Sequence, residues 1–112
     1  MSLASTDIDT ARIITVLANR IDAAMAIRFK EDMRQMTLSA PDRVIVDLSE
    51  VDFIDSSGLG AIVAAMKQLR EGQRLELAGL TPTVSKVFRL TRMDTVFSLF
   101  DTLEEAVAPR PS

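Results

Sequence analysis

RVIVDLSEVDFIDSSGLGAIV, residues 43–63, changes its periodicity part-way along. Arg43 to Leu48 is continuous enough in apolar character for a buried central strand. From Leu59 the apolar residues Leu59, Ile62, Val63, Met66 and Leu69 recur at helical spacing, and Gly72 is placed to close the element. Two serines, Ser56 and Ser57, lie at the joint between two aspartates, Asp52 and Asp55, and two glycines, Gly58 and Gly60. The serine pair therefore sits at a strand-to-helix turn.

Working outward, the same alternation repeats. Ala11 to Ala18 (ARIITVLA) is a β-branched run of strand length, and the TDIDT before it can pair with it as an edge hairpin. From Asp22, placed to cap, Met25, Phe29, Met33 and Met36 mark one face of a helix that Ala40-Pro41-Asp42 breaks. Arg74 to Ala78 (RLELA) alternates as a half-exposed strand. Thr81 and Pro82 then suit the cap and first position of a third helix with Val84, Val87, Phe88 and Thr91 inward. Val96 to Phe100 is a last short strand, and Asp101 with Glu104 reads as a capping box for a final helix. Strands alternating with helices predict an α/β domain: a mixed sheet of four or five strands, parallel at its centre through right-handed crossovers, with about four helices against it. One domain over residues 1–108 and a short flexible tail over 109–112 are expected.

Composition narrows the chemistry. The chain has 112 residues, 47% hydrophobic and 26% charged, the balance of an ordinary globular domain. Thirteen basic and sixteen acidic residues leave a net charge of -3 with no basic cluster, so no nucleic-acid partner is expected. No apolar run reaches membrane-spanning length and no signal peptide is evident, which predicts no membrane partner and a cytoplasmic location. The absence of Cys and His removes thiolate catalysis, Ser-His-Asp triads and imidazole metal sites. The nearest Lys in sequence to the serines, Lys67, lies about three helical turns away, so a serine nucleophile lacks a base. No enzymatic activity, catalytic residue, metal or cofactor is expected. The one enzymatic alternative is a magnesium-dependent phosphotransfer site built from Asp47, Asp52 and Asp55, and no Thr or Lys constellation accompanies it.

DLSEVDFIDSSGLGAIV, Asp47 to Val63, resembles the signature of the STAS domain, specifically that of the bacterial anti-sigma factor antagonists. RIDAAMA (Arg20 to Ala26) and the stretch from Leu77 to Val107 extend the resemblance over almost the whole chain. Two departures stand where the family commonly has Gly: Asn19, and Arg92 in a turn. If residue 92 must be left-handed, Arg costs about 1 kcal/mol relative to Gly.

The resemblance implies a single STAS-like domain that acts as a partner switch. An unmodified antagonist binds an anti-sigma factor that is also a serine kinase with a histidine-kinase-like ATPase fold, and this releases a sigma factor. Phosphorylation breaks that complex, and a serine phosphatase restores it. Carried over, the modified residue is Ser57, and the implied partner-binding set is Asp22, Asp55, Ser56, Ser57, Gly58, Leu59 and Gly60. The alternative is a STAS scaffold subunit of a lipid-transport or stress-sensing assembly without phospho-switching.

Several residue readings stay open at this level. Asp55 or Ser56 can cap the helix. Asp22 is a cap, a partner contact, or both. Leu59 is core or contact, and the methionines are core filling or a plastic binding surface. Gly58 and Gly60 each weaken a helix by about 1 kcal/mol relative to Ala, which suggests that something approaches the backbone there, a kinase active site being one such visitor.

Overall fold

The computed structural model describes residues 3–8 and 10–108. The β-branched runs form strands and the 3.6-period runs form helices. β1 (Leu3–Ile8) pairs antiparallel with β2 (Ala11–Val16), the expected edge hairpin. After a two-residue strand β3 (Arg20–Ile21), α1 (Ala23–Thr37) leads to β4 (Arg43–Asp47). A second two-residue strand, β5 (Phe53–Ile54), leads directly into α2 (Ser56–Lys67). β6 (Arg74–Ala78), α3 (Pro82–Leu90), a 3₁₀ turn (Met93–Thr95), β7 (Ser98–Phe100) and α4 (Leu103–Val107) complete the order. The main sheet runs β1-β2-β4-β6-β7, parallel from β2 onward, and β3 and β5 form a separate parallel ribbon.

Pleating divides the core in two. Ile14, Val16, Val44, Val46, Leu75 and Leu77 point to one face, where Phe29 and Met33 of α1, Ile62 of α2 and Phe88 of α3 close over them. Ala11, Ile13, Ile45 and Ala78 point to the other, where Ala106 of α4 packs. Phe88 also meets Phe97 edge-on, with ring centroids 6.1 Å apart. The half-buried Met25, Met36 and Met66 pack against the larger core, the filling role open to them in the sequence.

The structure corrects five local expectations. β6 is buried rather than half-exposed, because α4 covers its second face: Glu76 is 3% exposed and pairs with Arg43 at 2.5 Å. α2 ends at Lys67, and Gly72 serves a separate turn at φ 86°. Thr91 is exposed, its hydroxyl donating to the Val87 carbonyl at 2.7 Å. The last strand begins at Ser98 because the 3₁₀ turn takes the chain before it. Thr102, not Asp101, caps α4, accepting from the Glu105 N–H at 3.1 Å. Residues 109–112 lie outside the described residues.

Both departures from the family pattern find a place. Arg92 adopts φ 63°, ψ 17°, the left-handed conformation that makes Gly the usual residue. Asn19 does not have positive φ, and its carbonyl accepts the Asp52 N–H at 2.8 Å at the end of the β3–β5 ribbon.

Candidate functional site

The ribbon decides how the two serines are presented. β3 runs into α1 and β5 into α2, and because the strands are parallel and in register, Ile21 opposite Ile54, both helices start side by side. Ile21 and Ile54 are buried beneath the ribbon, and Arg20 lies over the exposed Phe53 ring at 5.2 Å.

Asp55 is the cap of α2. Its backbone is extended (φ -103°, ψ -176°) and one carboxylate oxygen accepts the Gly58 N–H at 2.8 Å. The other oxygen accepts the Ala23 N–H of α1 at 3.3 Å. One side chain therefore satisfies a first-turn donor of each helix, where the positive ends of two helix dipoles meet. Asp22 caps α1, accepting the Met25 N–H at 3.2 Å, and its second oxygen lies 3.7 Å from the Arg20 guanidinium. The cap left open between Asp55 and Ser56 thus belongs to Asp55. Ser56 is the first helical residue and exposed, and Ser57 follows it, also exposed.

Gly58 has an internal reason. A Cβ at this position would lie 2.0 Å from the Ile21 carbonyl oxygen, so the backbone that comes close is β3 of the same chain. Gly60 differs: it is exposed, and nothing lies within 4 Å of the Cβ position. Leu59 is half-buried against the core. The seven expected residues thus come together at one edge, with Ser56, Ser57 and Gly60 outward, Asp22, Asp55 and Leu59 half-buried, and Gly58 inside.

Asp47, Asp52 and Asp55 do not assemble into an ion site. Asp47 accepts the Ser49 N–H at 3.0 Å and Asp55 is engaged as a cap. Among the described residues no three acidic side chains are grouped to hold a metal. Sequence reading missed Ala23, whose N–H ties the helices together; only the topology reveals it. Among the described residues no helix is long and apolar enough to cross a membrane.

The five-stranded, parallel-centred sheet with its helices matches the STAS fold, and the STAS domain pattern matches residues 4–106. The chain belongs to the STAS domain family, among its bacterial anti-sigma factor antagonists. It is 34% identical to the anti-sigma-B factor antagonist of Listeria monocytogenes, over 81% of each chain. An anti-sigma factor antagonist from Mycobacterium paratuberculosis superposes with a TM-score of 0.84 at 25% identity, over 94% of this chain and 89% of that one. The Bacillus cell fate determinant SpoIIAA in its phosphorylated form shares the fold, with TM-score 0.66 and 21% identity over 94% of this chain and 96% of that one.

Proposed function

We propose that this chain is an anti-sigma factor antagonist that binds a serine-kinase anti-sigma factor when unmodified and is switched off when Ser57 is phosphorylated. The observation that carries the reading is Ser57 itself: an exposed hydroxyl at the second helical position, on a turn whose geometry is held from below by Asp55 and by Gly58 against Ile21. Such a side chain is free to enter a kinase active site without local unfolding. Ser56, Ser57 and Gly60 form the contact surface, and Asp22, Asp55, Gly58 and Leu59 hold its shape.

The chain is a substrate and a binding module, not a catalyst. Transfer from ATP forms a bond from Ser57 Oγ to the γ-phosphorus and breaks the bond from that phosphorus to the β–γ bridging oxygen. ADP leaves, and the hydroxyl proton goes to a base on the kinase, since Asp55, the carboxylate nearest the serines in sequence, has both oxygens engaged with backbone N–H groups. A serine phosphatase would reverse the mark by hydrolysis. Such a cycle belongs in the cytoplasm, where ATP and RNA polymerase are.

The switch follows from charge. Phosphoserine adds about -1.5 to -2 at pH 7. Asp55 already occupies the Gly58 donor, so the phosphate meets the dipole and the remaining first-turn N–H groups, which favour it by roughly 0.3 to 1 kcal/mol. At the interface a like charge about 4 Å away on the partner costs up to about 4 kcal/mol at an effective dielectric near 20. Half of that already exceeds a tenfold loss of affinity, taking about 1.4 kcal/mol per decade.

The test is incubation with the cognate kinase and ATP, read by peptide mass spectrometry and by titration of the complex. Phosphate is expected on Ser57 and not Ser56. Ser57→Ala should bind and resist switching off, and Ser57→Asp should bind more weakly while melting within a few degrees of the parent. Phosphate on Ser56 with Ser57→Ala still a full substrate, or phosphorylated protein binding as tightly as unmodified protein, would overturn the reading.

A further inference from the structure

β7 is shorter than the strand it pairs with. The Arg74 N–H donates to the Asp42 carbonyl at 2.7 Å on the β4 side, and the Gly79 N–H donates to the Phe100 carbonyl at 3.0 Å on the β7 side. Alternation along β6 therefore turns the backbone groups of Leu75 and Leu77 toward β7. Pairing with β7 starts at Glu76 opposite Ser98, so the Leu75 N–H lies just before the ladder begins and has no partner among the described residues. Leu75 is only 6% exposed. A buried N–H is almost always satisfied by protein, water or a ligand.

Leu75 lines a cavity of about 310 Å³, left where the 3₁₀ turn carries the chain away from the β6 edge. Met66, Leu69 and Val96 form its apolar wall, and Arg74 and Ser98 stand at the same opening. Arg74 has no acidic partner among the described residues, while the charge of Glu76, which also lines the cavity, is met by Arg43. An unmatched cation, an unmatched backbone donor and an apolar wall describe one ligand chemistry. A carboxylate's two oxygens accept from the amide and the guanidinium, and charge-assisted bonds of this kind are the strong ones.

We propose that this cavity binds a small amphipathic carboxylate, its acid group on the Leu75 N–H and Arg74 and its hydrocarbon chain against Met66, Leu69 and Val96. The site is distinct from the serine turn: Met66 lies at the last turn of α2, and Ser57 at its first.

Amide chemical shifts of the ¹⁵N-labelled full chain test this with hexanoate, hexanamide and inorganic phosphate as probes. Hexanoate should move the Leu75 and Ser98 amides saturably, with a dissociation constant in the millimolar range. Hexanamide, of the same shape without the charge, should bind about tenfold more weakly, and Arg74→Gln should weaken hexanoate about tenfold while Arg74→Lys keeps most of the affinity. Phosphate should leave these amides in place. A Leu75 amide unmoved by hexanoate would mean that water satisfies it, and the proposal fails. Equal binding of hexanamide, an Arg74→Gln variant that binds like the parent, or phosphate acting as strongly as hexanoate would each overturn the proposed chemistry.

Discussion

Two polar junctions fix the helices of this domain, and they are built in opposite ways. At the serine edge Asp55 uses one half-buried carboxylate to tie the starts of α1 and α2 through backbone N–H groups. On the other face Arg43 holds the buried Glu76 at 2.5 Å and donates to the Ala106 carbonyl, which fixes α4. The first junction is wet, and water can replace what a mutation removes. The second is dry, with Glu76 3% exposed, so a bond broken there is not replaced by water and costs more than the same bond broken at the surface. The difference teaches that similar hydrogen bonds serve presentation at the surface and integrity in the interior.

The largest expected effect is at the dry junction. Arg43→Ala removes the guanidinium that both meets the buried Glu76 carboxylate and holds the Ala106 carbonyl, and should cost about 3–5 kcal/mol in chemical denaturation. A loss below about 1 kcal/mol, the range of exposed pairs, would erase the contrast between the junctions. Gly58→Ala comes next, since its Cβ would lie 2.0 Å from a carbonyl oxygen of β3 and the ribbon must shift. About 1–3 kcal/mol is expected, the range for overpacking, with the amide shifts of Ile21 and Ala23 changed and those of β4 preserved.

Asp55→Asn sharpens the comparison at the wet junction. An amide offers one oxygen where the carboxylate offers two, so it can cap α2 or reach Ala23, but not both. A loss of about 0.5–2 kcal/mol, with faster hydrogen exchange confined to the first turns of α1 and α2, is the expected result. Arg92→Gly belongs to neither junction and should raise stability by up to about 1 kcal/mol, because it relieves the left-handed strain without removing a charge pair.

The periodic parts of the fold were legible in the sequence. The buried character of Arg43 to Leu48, the methionine-marked face of α1 and the Asp22 cap follow from local pattern, because each depends on neighbours within a turn or two. The strain at Arg92, by contrast, was suggested only by the Gly that the resembled family commonly has there. What the pattern hides is decided across the chain. β3 and β5 have two residues each, too short to show any period. Asp55 and Ser56 are both good caps, and only the arrival of the Ala23 N–H favours the side chain with two acceptors. Glu76 in RLELA reads as solvent-facing until α4 is placed over it. The same holds at the candidate site: the resemblance, in the serine motif and in the stretch that holds Asp22, named its expected members, while their division into exposed and half-buried or buried residues is set by the topology.

The position of α4 has a consequence for biosynthesis. It follows β2, β4 and β6 in chain order, and its five residues are too few to hold a helix alone in water. Synthesis runs from the N-terminus, so β2, β4 and β6 can pair while Ala11, Ile13, Ile45 and Ala78 still face solvent as a bare apolar patch. The nascent domain thus passes through a stage in which its second face is sticky, and only the arrival of α4 closes it. Chaperone capture and self-association should peak at that stage.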